Sequence, residues 1–141
     1  MCLPRRAPPQ APIKKGRKTQ MRVEFKHPGQ AKRWFKISKL VLVSAVRGPV
    51  GSKLPTLRLR NAMCRGFGYR SFNELEFLFK QRGNGKISLP SADEVLHAFS
   101  VGFFLALNEA RSLGFWYEID EKTLAPQLAE QAVELINLAR R

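Results

Sequence analysis

Nine cations in the first half of the chain are spaced as phosphate contacts would be. Lys32, Arg33, Lys36 and Lys39 recur at intervals that keep most of them on one side of a helix, Lys53 stands in a Gly- and Pro-punctuated stretch, Arg58, Arg60 and Arg65 follow in the next segment, and Arg70 comes after a glycine pair. The chemistry open to such a set is electrostatic rather than covalent. Each phosphate neutralised by Lys or Arg releases condensed counterions, so affinity for a duplex rises with the number of contacts and falls steeply with salt. Two other roles use the same residues: a solvated basic face, or one that pairs with the acidic half of this chain or of a second copy.

Residue types for covalent or metal chemistry are sparse. Zinc needs three or four Cys, His or carboxylate ligands that converge, and Cys2, Cys64, His27 and His97 show no such spacing. Cys64 reads as a small buried hydrophobe and His97 as a hydrogen-bonded helix histidine. Gly66-Phe-Gly68 and Gly83-Asn-Gly85 lack the strand and the following Lys-Ser/Thr that make a phosphate loop. Glu118, Asp120 and Glu121 read as a solvated acidic turn. No catalytic residue, metal ligand or cofactor is assigned, and the chain is expected not to be an enzyme.

The charge is unevenly spread. Of 141 residues, 1–70 hold 18 Lys or Arg and one acid, Glu24, whereas 71–141 hold 7 Lys or Arg and 10 acids, within a formal charge of +14. A half so basic repels itself unless it meets a polyanion or spreads into solvent. The most apolar run, Val95 to Leu107, is 13 residues long and includes His97 and Ser100, too short and too polar to span a bilayer. Two cysteines give no disulfide framework, and the start of the chain has no signal-peptide pattern, so a cytoplasmic protein without a membrane partner is expected.

The elements that must position the cations follow from periodicity and punctuation. Residues 1–20 hold four prolines and six Lys or Arg and read as a disordered basic tail; Met21 is an alternative start. Residues 21–141 read as one helical domain. Arg22 to Lys26 alternates like a short strand, and a helix is expected over about 29–45, with Pro28 favourable at its first position; the β-branched content of Leu40 to Val46 makes a strand the competing reading there. The stretch Pro55 to Arg82 is a helical hairpin. Leu59, Ala62, Met63 and Phe67 face inward on its first helix, about 55–66, with Arg58, Asn61 and Arg65 on an outward stripe. Gly66 and Gly68 are candidates for the left-handed stop. Ser71 and Glu74 form a capping box for a second helix, about 72–82, which is apolar on most sides and stops at Gly83-Asn84-Gly85. Another capping box, Ser91 to Glu94, opens the longest helix, about 92–113, whose stripe marks it as central. Gly114 ends it. Phe115 to Ile119 reads as extended and could pair with Val23 to Phe25, although two short strands alone are marginal. Thr123 caps a last helix, about 124–140, with Leu128, Ala132, Leu135 and Ile136 inward and Arg140 and Arg141 suiting its dipole. The fold class is therefore mostly α: a bundle of about five helices around a central hairpin, with a minor two-stranded β element as an option.

The hairpin carries a resemblance. Gly68-Tyr69-Arg70-Ser71-Phe72-Asn73-Glu74-Leu75, with Ala31-Lys32-Arg33 upstream, resembles the G-[YF]-R-[SD]-[WF]-x-x-L motif of a small helical module of bacterial plasmids, integrating elements and phages, sometimes catalogued as glyoxalase-related. The resemblance covers about residues 28–80 and departs from the pattern at Phe72, where Trp is usual, and at the Gly48 to Pro55 interruption. It implies a helical fold and a mobile-element setting. The glyoxalase label implies metal-bound enzyme chemistry, for which this sequence offers no ligand set.

Together these readings give a nucleic-acid-binding accessory protein that contacts phosphates, double-stranded DNA above all, with little sequence discrimination. The second hairpin helix shows Glu74, Glu76 and large apolar groups rather than the polar side chains that read base edges. The alternative is a protein-interaction or self-associating helical module without nucleic-acid binding, built on the apolar helices at 72–82 and 92–113.

Overall fold

Two helix ends are set by a glycine in the left-handed region. Gly68 has φ +98° and Gly114 φ +94°, conformations that cost a residue with a Cβ. At each, the residue after the glycine donates its amide five residues back, Tyr69 to Cys64 at 2.9 Å and Phe115 to Ala110 at 3.0 Å, while the glycine amide reaches Arg65 or Arg111. Both ends are thus Schellman motifs, which satisfy the last helical carbonyls.

The computed structural model describes residues 22–82 and 89–139. It has five helices: α1 (Pro28–Ala45), α2 (Thr56–Gly66), α3 (Phe72–Arg82), α4 (Ala92–Ser112) and α5 (Glu121–Ala139). The fold is mostly α, and no strand occurs among the described residues. The tail at 1–20, the Gly83-Asn84-Gly85 stop and Arg140 and Arg141 lie outside the described residues.

Helix α4 packs against both α2 and α5, and α1 lies against α5 and α2. The Ser91 capping box that starts α4 is complete: the hydroxyl accepts from the Glu94 amide at 3.1 Å, and the Glu94 carboxylate accepts from the Ser91 amide at 2.8 Å. The box at Ser71 is only half formed. Its hydroxyl accepts from the Glu74 amide at 3.3 Å, but the Glu74 carboxylate turns to the Arg70 amide. Ala98, Phe99, Phe103, Ala106, Leu107 and Ala110 are buried, so the broad apolar circumference of α4 is used within the chain.

Phe67 is the hub of the core. Fully buried, its ring lies 4.9 Å from Phe99, 5.4 Å from Phe25 and 5.5 Å from Phe35, with Trp34 at 6.2 Å, spacings at which aromatic pairs attract beyond area burial alone. Helices α2 and α4 meet backbone to backbone at Gly66, where an added Cβ would stand 2.3 Å from the Gly102 nitrogen. Gly66 serves this approach, and Gly68 alone supplies the left-handed stop.

The extended segments and the last helix differ from expectation, while the helix expected over about 29–45 is present. The two extended segments do not pair with each other. Val23 donates to the Phe67 carbonyl at 2.9 Å, Tyr69 donates its hydroxyl to the Val23 carbonyl at 2.9 Å, and burial of Val23 and Phe25 straps 22–26 over the hairpin turn. Trp116 pairs instead with Arg47 in one antiparallel bridge, both bonds 2.8 Å; a single bridge leaves no two-stranded element. The competing strand at Leu40 to Val46 is helix through Ala45, because Val41 and Leu42 bury on the α1 core face and tertiary burial outweighs β-branched propensity. Finally, α5 begins at Glu121: the Asp120 carboxylate accepts from the Lys122 amide at 3.1 Å, which makes Asp120 the cap and places Thr123 inside the helix. Leu135 stays 44% exposed, off the face formed by Leu128, Ala132 and Ile136.

Candidate nucleic-acid interface

Helix α1 sets the first group of cations. At ~100° per residue, Lys32, Lys36 and Lys39 fall on one narrow stripe, about a quarter-turn round the helix from Ala31, Phe35, Ser38 and Leu42, which are buried. The stripe runs beside α2: the Lys39 ammonium donates to the Thr56 hydroxyl at the start of α2. From α2, Arg60 points to the same side. The Lys32 nitrogen lies 5.6 Å and the Arg60 guanidinium carbon 5.1 Å from the centroid of the Phe72 ring, so α1, α2 and the first residue of α3 meet there. The negative face of the ring holds both cations, and among the described residues neither forms an ion pair. Lys36 likewise has no carboxylate partner there and is exposed.

The other candidates are dispersed. Arg33 turns from the stripe toward α5, where it lines a cleft with Trp34 and Ile136. Arg58 faces α4 and pairs with Glu109 at 3.8 Å. Arg70 pairs with Glu74 at 3.5 Å, and Arg22 reaches the same carboxylate at 4.0 Å; Arg65 lines the same hollow. Such exposed pairs are worth at most about 1 kcal/mol, but they lower the net charge offered to a phosphate. Lys53 is exposed in the α1–α2 loop. Asn61, expected on the outward stripe, accepts from the Phe72 amide at 3.1 Å and ties α2 to α3. Sequence reasoning missed Arg22, whose guanidinium caps the hairpin by donating to the Gly68 carbonyl at 3.1 Å. No local pattern marks it, since the Gly68 carbonyl lies 46 residues away and Glu74 further still.

Two groups with nucleophilic potential, Cys64 and Tyr69, are buried. Cys64 is fully buried, and burial pushes its thiol from an ordinary 9.0 up to about 12, against the lowering effect of Arg60 and Arg65. Burial likewise raises Tyr69 from 10.0 to about 12. No group of three His, Cys, Asp or Glu side chains able to hold a metal ion occurs among the described residues, and no described helix is long and apolar enough to cross a membrane.

The Cys64 shift sets an alkaline limit on stability. An acid whose pKa is higher in the folded state loses its proton first in the unfolded state, so folding weakens as pH rises past the unfolded value of 9.0 toward about 12. Unfolding free energies from urea titrations across this window are expected to fall by up to about 1.4 kcal/mol per pH unit for each such proton. Cys64→Ala should flatten the slope between 9.0 and 10.0 and reduce it above 10.0, where Tyr69 still contributes.

Comparison of the chain with protein-family models, with curated proteins and with solved structures finds no match among any of the three.

Proposed function

We propose that this chain is a nucleic-acid-binding accessory protein that grips the phosphates of double-stranded DNA through the α1–α2 face, with little sequence discrimination. The observation that carries the reading is the convergence of Lys32, Lys36 and Arg60 from two helices onto one face, none of them in an ion pair with a carboxylate among the described residues. Like charges gathered without counterions repel, and a polyanion laid across them relieves that repulsion while releasing its own condensed ions. Lys39 extends the face to the start of α2, and Lys53, exposed in the α1–α2 loop, contributes with Arg33, Arg58, Arg65 and Arg70 to the field around it. Phosphate contacts of this kind fix position without reading bases. The Gly68 to Leu75 motif supports a bacterial mobile-element setting, and a cytoplasmic location follows from the same proposal.

Fluorescence anisotropy of a labelled duplex with the full chain, repeated across a salt series, tests this. About five phosphate contacts give a log-log slope of roughly −4 to −5. A flat slope, or no binding at low salt, overturns the proposal. The rival reading, a self-associating or protein-interaction module, draws on Leu40 and Val43, which are 67% and 50% exposed among the cations of α1. It requires a dimer or larger species in sedimentation of the purified chain, and a monomer would exclude self-association.

A further inference from the structure

On the side of α1 that turns from the Lys32 stripe toward α5 lies a cleft of about 540 Å3, a size common to small-ligand sites. Its apolar wall is Trp34, Ile37 and Ile136, and its polar edge includes Lys26, Arg33 and Gln30. Trp34 is held in place from the core side, with Phe25 5.3 Å away edge-on and Phe99 5.7 Å away at a shallow 32°. What it presents to the cleft is therefore a fixed indole surface. Gln30 is oriented as well: its side-chain oxygen accepts from the Lys26 amide at 2.9 Å, which leaves the carboxamide NH2 as the group able to donate into the cleft. Lys26 and Arg33 are exposed and form no ion pair among the described residues.

A fixed aromatic surface, an oriented amide donor and two unpaired cations are the parts from which unpaired nucleotides are recognised: the base stacks, its edge accepts a hydrogen bond, and its phosphates meet the cations. We propose that this cleft seats one unpaired, carbonyl-bearing base of a single strand. Trp34 stacks on it, the Gln30 NH2 donates to its carbonyl oxygen, and Lys26 and Arg33 take the flanking phosphates. Adenine has no such oxygen, so thymine is favoured over adenine. The inference rests on the preceding proposal only for the polyanionic character of the partner; the cleft is a separate surface from the duplex-gripping stripe.

Trp34 provides its own reporter. The chain has two tryptophans, and Trp116, half-exposed and bonded to Arg47 only through its backbone, can be replaced. In a Trp116→Phe variant of the full chain, titration with an oligothymidylate of about eight nucleotides, within the usual site size for single-strand binders, should quench the remaining indole saturably. Oligoadenylate should bind several-fold more weakly. Ile37→Asp places a carboxylate in the apolar wall at a side chain only partly buried against the core, and should weaken thymidylate binding at least about 10-fold, the scale of one lost stacked base. The inference is overturned by thymidylate binding without quenching, by no thymidylate binding at all, by an unchanged Ile37→Asp variant that keeps its helical circular dichroism, or by equal quenching with a duplex. Duplex anisotropy run in parallel separates the two proposals. Duplex binding without thymidylate quenching removes the cleft alone; quenching without duplex binding removes the stripe alone.

Discussion

Gly66→Ala is expected to destabilise the bundle by about 3 kcal/mol, the upper range for overpacking a well-filled core. An alanine Cβ at this position would lie 2.3 Å from the Gly102 nitrogen, 2.4 Å from its Cα and 2.8 Å from the Ala98 carbonyl oxygen. All three are backbone atoms of α4, so no side-chain rotation relieves the clash, and α2 must move off the helix that forms the centre of the bundle. Phe67 moves with it, and with Phe67 the contacts to Phe25, Phe35 and Phe99. Gly102→Ala is the matched control, because its Cβ meets chiefly the Met63 methyl at 2.8 Å and sulfur at 3.0 Å, the movable end of a flexible side chain, with one backbone atom, the Met63 Cα, at a milder 3.3 Å. The helix interior also gains from alanine over glycine, roughly 0.5–1 kcal/mol, so Gly102→Ala should cost no more than about 1 kcal/mol. Thermal unfolding should show a drop of roughly 10 °C for the first variant and a few degrees at most for the second. Equal drops, or none for Gly66→Ala, would show that the helices are not packed this closely.

The punctuation of α4 could be read in advance because every signal there is local. Ser91 and Glu94 are three residues apart, the stripe from Val95 to Leu113 has one period, and Gly114 follows it directly. The same holds for the hairpin and for Gly68. What escaped reading depends on partners far along the chain. The strap at 22–26 has the alternation of a strand, but its amide partner is a helix-terminal carbonyl at Phe67, and alternation does not say which acceptor is near. Gly66 shows its reason only when Gly102, 36 residues later, is in contact with it. Thr123 was a sound cap by type, yet Asp120 competes for the role through Lys122, and a carboxylate at a helix start also suits the dipole.

The candidate interface was legible to a similar degree. A helical period aligns Lys32, Lys36 and Lys39 from sequence alone, and the arrival of Arg60 beside them could not be foreseen, because it requires the α1–α2 contact and the Phe72 ring at the start of α3. The pairing of Arg70 with Glu74 is visible as an i, i+4 spacing. The pairing of Arg58 with Glu109 is not, since it needs α2 laid against α4. The acidic carboxyl-terminal half thus neutralises part of the basic half within the same chain, and it does so at the edges of the basic face rather than at its centre.

That asymmetry separates two sets of substitutions that formal charge treats alike. The triple change Lys32→Glu, Lys36→Glu, Arg60→Glu is expected to lower duplex affinity at least about 100-fold at moderate salt and to reduce the salt slope by roughly three, one for each lost contact. Its cost to folding should be about 1 kcal/mol, from the cations removed from the Phe72 ring, so unchanged helical circular dichroism would confirm that binding and not structure was lost. Arg58→Glu with Arg70→Glu should cost much less per charge. Glu109 and Glu74 already offset these two arginines, and a phosphate approaching them must compete with carboxylates in place. If both sets weaken binding equally for each charge reversed, the duplex senses only the overall field and the α1–α2 face is not a docking surface. If the triple variant binds as tightly as the parent chain, unpaired cations gathered over Phe72 serve some anion other than a duplex, and the acidic surface of a second protein becomes the first candidate to test.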